Sequence, residues 1–168
     1  MKLLRYRERI NTECSLVQKP ILNIKAIKID ANKRSLKQAL GCKHLKSYDY
    51  FKRGKESLYF IEISDFHQQF LNLKASHGDN EASKMIKNEI RLKLSETLLL
   101  YYQLIQQINI KQANTELKNK ALLTHCRDTP RDGVVFAKLE RELTRHYCPT
   151  HLASIKVIPY PRLETLFK

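Results

Sequence analysis

The chain has 168 residues, and 31 Lys and Arg against 17 Asp and Glu leave it a formal charge of +14. That length fits one domain able to bury about two-thirds of its unfolded surface without covalent staples, and the apolar runs exclude bulk disorder. The charge excess favours polyanionic partners, DNA or RNA first, and no run of about twenty apolar residues offers a membrane span.

Residues 1–12 could open with a short helix. Pro20 ends any regular element there, and 21–30 reads as a strand whose later part alternates Ile27 and Ile29 with Lys28 and Asp30. Residues 31–45 carry Leu36, Ala39 and Leu40 at helical spacing and end near Gly41, as one short helix or a loop. Residues 47–52 and 58–64 then flank Arg53-Gly54-Lys55-Glu56, a hairpin in which Gly54 can supply a positive φ. Leu58-Tyr59-Phe60-Ile61-Glu62-Ile63 is nearly continuously apolar and predicts a central strand covered on both faces. A loop or short helix at 66–77 leads to Gly78-Asp79-Asn80, which offers a cap to the longest helix, 81–108. Its core stripe is Ile86, Ile90, Leu94, Tyr101, Ile105 and Ile108, while Lys84, Lys87 and Arg91 share another face. Next come a polar connector at 111–120, a short strand at 121–126, a turn at 129–133 and a helix at 134–147 stopped by Pro149. A strand at 153–159 and a closing turn at 163–167 end the sequence. This order predicts one basic α/β domain over 1–168, with a mixed central sheet, an antiparallel hairpin and helices on both faces.

Glu62 stands out as a carboxylate inside an apolar strand, where an uncompensated charge is costly enough that it must neutralise, pair or hold a metal. Asp49 lies on the preceding strand. An even loop, for example two residues at Gly54-Lys55, pairs Arg53 with Glu56 and Asp49 with Phe60. Glu62 is then the diagonal neighbour of Asp49 on one face, and the two carboxylates can share one Mg²⁺. An odd loop would put them on opposite faces. The competing structural reading pairs Glu62 with a nearby Lys or Arg and leaves Asp49 a strand-end residue.

Tyr48-Asp49-Tyr50, Phe60-Ile61-Glu62-Ile63-Ser64-Asp65 and the helix–strand–helix–strand order after them resemble the PD-(D/E)xK, restriction-endonuclease-like nuclease superfamily. The likeness spans about residues 24–159 in topology. It implies a restriction-endonuclease-like fold, Asp49 and Glu62 as Mg²⁺ ligands, and phosphodiester hydrolysis by activated water. Where the family places a Lys two residues past the Glu, this chain has Ser64. Either a Lys from another element completes the site, with Lys84 or Lys87 as natural candidates, or the domain keeps the fold without hydrolysis and binds nucleic acid.

Tyr6, Tyr48, Tyr50, Phe51 and Tyr59 interleave with Arg5, Arg7, Lys46, Lys52 and Arg53, a pattern that suits single-stranded bases. Alternation assigns Phe51 and Tyr59 to the core, leaving Tyr50, Lys52, Arg53, Lys55 and Arg91 as contact residues. A basic interaction protein that docks on an acidic partner is the rival reading. Basic groups are spread along the chain without a lipidation motif, which argues against a membrane surface. Cys14, Cys42, Cys126 and Cys148 are too sparse for a disulfide scaffold, and the charged start cannot hold a secretory apolar core, so reduced thiols in the cytoplasm are expected. His125-Cys126 with His146, Cys148 and His151 would be a zinc constellation, but adjacent strand residues point apart; a core cysteine and partly exposed histidines are expected instead. Asp128, Arg131 and Asp132 read as loop residues. No Walker A, G-x-G-x-x-G, G-x-S-x-G or H-E-x-x-H motif is present.

Overall fold

The structure is a computed structural model that describes residues 3–30, 35–108, 118–126, 130–147 and 152–168, with side chains described for all of these but 108 and 130–133. A 3-10 turn (Leu3–Tyr6) precedes β1 (Arg7–Asn11), β2 (Ile21–Lys28), α1 (Leu36–Ala39), β3 (Tyr50–Arg53) and β4 (Ser57–Ser64). Then come α2 (Phe66–His77), α3 (Asp79–Ile108), β5 (Lys118–His125), α4 (Pro130–Tyr147), β6 (Ser154–Pro159) and α5 (Arg162–Leu166).

Six strands form one mixed sheet in chain order, β1 to β6. The first four make an antiparallel meander, and β4, β5 and β6 run parallel. Parallel neighbours need crossovers, which α2 with α3 and then α4 supply. Because the order steps one way from β4 to β6, right-handed crossovers put these helices on the same face. There Leu36, Phe66, Ile86, Ile90, Leu94, Phe136, Leu139 and Leu143 pack with Phe51, Phe60 and Leu123 of the sheet. The other face has Ile10, Leu22, Ile24, Ala26, Tyr50, Ile61 and Leu122 under Tyr160 and Leu163. The expected two-sided covering is thus lopsided: every long helix lies on one side, and the short α5 serves the other.

Several elements differ from the sequence pattern. The expected opening helix gives way to β1, an edge strand in which only Ile10 is buried, so its charges hide the period of two. Residues 66–77 are helical because Asp65 caps α2, its Oδ1 accepting the Gln68 N–H at 3.0 Å. Gly78, at φ 77, closes α2 by donating its N–H to the Lys74 carbonyl, and α3 starts at once. The backbone of α4 begins at Pro130, inside the expected turn, as proline at a helix start allows. Strand β5 starts at Lys118, earlier than expected, because it pairs along the whole of β4. Most of the predicted connector, with Asp128, Thr129, Cys148, Pro149 and His151, lies outside the described residues, as do the side chains of Arg131 and Asp132.

The hairpin loop is even, but its tip is not Gly54-Lys55. The Gly54 N–H donates to the Ser57 carbonyl at 2.8 Å, so Lys55-Glu56 forms the tip and Phe51 pairs with Phe60. Gly54 does not need a positive φ. A Cβ there would meet Tyr59 Cε2 at 3.0 Å, so close approach of that ring calls for glycine.

Candidate functional site

At the head of β3 the ladder becomes irregular. The Asp49 N–H donates to the Ile61 carbonyl at 2.9 Å, although Tyr50 is the register partner of Ile61. Two residues of one strand thus face one of the other, in the manner of a bulge. The Asp49 carbonyl accepts from the Ile29 N–H at 2.8 Å, and its Oδ2 accepts from the Ile63 N–H at 2.8 Å. The carboxylate therefore stands where a strand carbonyl would. The bulge puts both Asp49 and Tyr50 opposite Ile61, not Asp49 opposite the expected Phe60, and the Asp49 charge acts directly on Glu62.

Glu62 is only 2 % exposed. Its Oε1 accepts from Lys93 Nζ at 2.7 Å and from Ser64 Oγ at 2.9 Å. Its Oε2 is buried without a partner, as is the Tyr48 hydroxyl. Burial, then repulsion from Asp49, pushes the Glu62 carboxyl up to about 8 against the pull of Lys93 and Ser64. Asp49 is also pushed up by burial, opposed by Lys28, the Ile63 N–H and Lys93. Burial works to lower Lys93, but Glu62 and Asp49 outweigh it, and its ammonium moves up. Of the two acids only Glu62 pairs directly with Lys93, while Asp49 feels the ammonium through its charge. Tyr48 is raised by burial first and by the Glu62 charge second.

Helix α3 holds this geometry. Thr97 Oγ1 accepts from the Tyr48 N–H at 2.8 Å and donates to the Lys93 carbonyl at 2.6 Å, tying the strand head to the turn that carries Lys93. Buried or site-facing positions 86, 90, 93, 97, 100 and 104 step by four and three residues alternately, a seam of the kind packed helices use. Lys93 and Thr97 are its two polar interruptions. That is the signal by which sequence reasoning, which counted only apolar residues, could have found both. Lys84 and Lys87 do not reach Glu62. Lys84 pairs with Glu81 at 3.4 Å and Lys87 with Glu142 at 2.8 Å. Lys84 stands nine residues before Lys93, about 13 Å along a helix axis. Ser64, at the expected lysine position, touches Glu62 directly.

Tyr50 is not a surface aromatic. It is fully buried on the opposite face of the sheet, its hydroxyl donating to Asn11 Oδ1 at 2.8 Å and its ring 4.3 Å from Lys28 Nζ. Arg91 is also drawn inward: its Nε is buried without a partner, and its carbonyl accepts from the Tyr147 hydroxyl at 2.9 Å. Lys52 is half-buried near the Phe167 ring, its ammonium lowered by burial and then by Arg7. Arg53 and Lys55 are exposed. Arg7, Arg9, Lys25 and Arg53 form a basic strip on the meander, with no acid partner for any of them among the described residues. A depression of about 470 Å³ between α4 and β6 adds Arg141, Arg145 and Arg162, while its acid, Glu140, is engaged by Lys156 Nζ and the Val157 N–H, each at 2.9 Å. Among the described residues no helix is long and apolar enough to cross a membrane.

The atoms offered to a cation at the acid pair are hard oxygens, the donors Mg²⁺ prefers, and the orphaned Glu62 Oε2 is the one lacking a partner. No family model, curated protein or solved structure matches this chain.

Proposed function

We propose that this chain acts on nucleic acid and hydrolyses phosphodiester bonds at Asp49, Glu62 and Lys93, in the manner of a restriction-endonuclease-like nuclease. The observation that carries the reading is a buried Glu62 beside a second acid, with Lys93 Nζ 2.7 Å from one oxygen and the other oxygen unsatisfied. A perturbed acid paired with a lysine near the carboxyl end of a parallel strand, with a second perturbed acid next to it, is the kind of cluster that active sites favour. The sequential mixed sheet and its helical crossovers agree with the order that the motif resemblance implies.

Glu62 Oε2 and Asp49 would hold Mg²⁺, which when bound supplies Lewis-acid polarisation of the phosphodiester. The chain's own groups do the rest. Ser64 and Lys93 fix the rotamer of Glu62, and the Ile63 N–H fixes Asp49. Lys93 brings a positive charge to the place where a scissile phosphate gathers negative charge, in the role the family's strand lysine would otherwise fill. Arg7, Arg9, Lys25 and Arg53 at one end of the meander, and Arg141, Arg145 and Arg162 beyond β6, offer cations to flanking phosphates.

Incubation of the full chain with plasmid DNA and with RNA, in Mg²⁺ or in EDTA, tests this. Scission is expected in Mg²⁺ alone, and Glu62→Gln and Asp49→Asn should each lower it by at least about 100-fold, as loss of an electrostatic catalytic group does. Cleavage that survives Glu62→Ala would rule the site out. A second reading rests on Ser64 and Lys93 already filling Oε1: a domain that binds nucleic acid without cutting it. Salt-sensitive binding with no scission under any metal would favour it.

A further inference from the structure

We infer that Cys14, Asp65 and Cys126 form a separate metal centre, which takes a thiophilic divalent cation of the zinc class through two thiolates and one carboxylate. Their ligand atoms all lie within 4.8 Å of one another. The three residues come from distant segments: the β1–β2 loop, the joint between β4 and α2, and the residue after β5. The inference does not depend on the nuclease reading.

The spacing suits an ion. Cys14 Sγ stands 3.5 Å from Asp65 Oδ2. A tetrahedral zinc with Zn–S near 2.3 Å and Zn–O near 2.0 Å has an S···O edge of about 3.5 Å and an S···S edge of about 3.8 Å. The Cys14–Asp65 edge thus has the ligand-like length before any ion enters, and the third ligand atom lies within 4.8 Å of both. Asp65 is oriented from outside: its Oδ1 caps α2 through the Gln68 N–H, which leaves Oδ2 facing the thiols. Such support of a ligating group is what metal centres require. Thr12 Oγ1 accepts from the Cys14 N–H at 3.2 Å, which steadies the loop. All three residues are partly exposed, so an ion has access and water can take the fourth position.

The Cys126 thiol is pushed up to about 12, by burial first and then by Cys14 and Asp65. Binding of a cation would release the thiol protons. In the empty cluster the Cys14 thiol donates to Asp65 Oδ2, and a cation would take the place of that proton between sulfur and carboxylate. Sulfur donors select zinc-like ions over Mg²⁺, so this centre and the Asp49–Glu62 pair answer to different metals.

The test uses the full chain, reduced, stripped with EDTA, and then given Zn²⁺ or Co²⁺ alone. One equivalent should bind, Co²⁺ should give sulfur-to-metal charge-transfer absorption, and Zn²⁺ should raise the melting temperature. Cys14→Ser and Cys126→Ser should each weaken binding by more than about 100-fold, beyond the loss from removing an outer-sphere partner. Asp65→Asn keeps a capping side chain, so it should stay folded by circular dichroism while binding less tightly. Cys42→Ser, whose thiol donates to Gln103 Oε1 at 2.7 Å, should bind as the parent does. If Cys126→Ser does not fold, Cys14→Ser in the open loop decides alone. The proposal is overturned by a folded parent with no charge-transfer band, by binding indifferent to Cys14→Ser, or by a Cys14–Cys126 disulfide that persists in the purified chain under mild reductant.

Discussion

Glu62 has one more oxygen than its neighbours use, and its protonation is where that shows. An ordinary glutamate titrates at 4.5, whereas this one is pushed up to about 8. Between those values the folded chain holds a proton that the unfolded chain has released. The contribution of Glu62 to stability is therefore fully present below about pH 4.5 and is lost as pH rises through about 8. Glu62→Gln lacks this proton exchange, so over that window its stability should gain on the parent's by up to about 1.4 kcal/mol per pH unit. Urea unfolding of both proteins at pH 5 and pH 8 measures the gap, and a gap that does not change with pH would mean an ordinary carboxylate. Lys93→Met should cost clearly more at pH 9.5 than at pH 7, because only above about 8 does the parent's Glu62 ionise and draw on the ammonium. Equal losses at both pH values would contradict the raised acid.

At the scale of elements, the union of α3 with the head of β3 depends on Thr97. Replacing it by Val keeps the shape and leaves the buried Tyr48 N–H without an acceptor, at a cost of about 1–3 kcal/mol. Thermal unfolding would register this, and a melting temperature equal to the parent's would show that the Tyr48 N–H finds another acceptor. The acid of the site was legible as an anomaly in an apolar strand, and the β3–β4 hairpin and the helical crossovers came from periodicity and turn residues, whereas β1 did not. The site's lysine was not legible, because Lys93 interrupts a seam that is recognised by apolar residues. Nor was Tyr50: its own neighbours mix aromatic and basic residues, and only distant Ile10, Leu22, Tyr160 and Leu163 complete the core that buries it. Cys14 and Cys126 lie far apart in the sequence, and no local pattern links a loop to a distant strand end.

For the whole molecule, a charge of +14 should make any association with DNA or RNA strongly dependent on salt. On duplex DNA the logarithm of affinity should fall with the logarithm of salt concentration by about 0.9 per neutralised phosphate. Replacing Arg7, Arg9, Lys25 and Arg53 together by Gln should lower that slope by up to about 3.6 if the strip touches four phosphates. Filter binding across a salt series supplies the slope, and an unchanged value would exclude the strip. Affinity for nucleic acid that ignores salt would instead move weight to an acidic protein partner.

A sheet whose spatial order repeats its chain order can be assembled by accretion at one rim, since no strand has to be threaded between two that have already paired. During synthesis from the N-terminus, Asp49 and Glu62 can meet as soon as β3 and β4 close, before the turn of α3 that carries Lys93 has left the ribosome. The acid pair must therefore be tolerable without its ammonium for a time. Until α3 arrives that face of the sheet is open to water, which solvates both acids before Lys93 takes over.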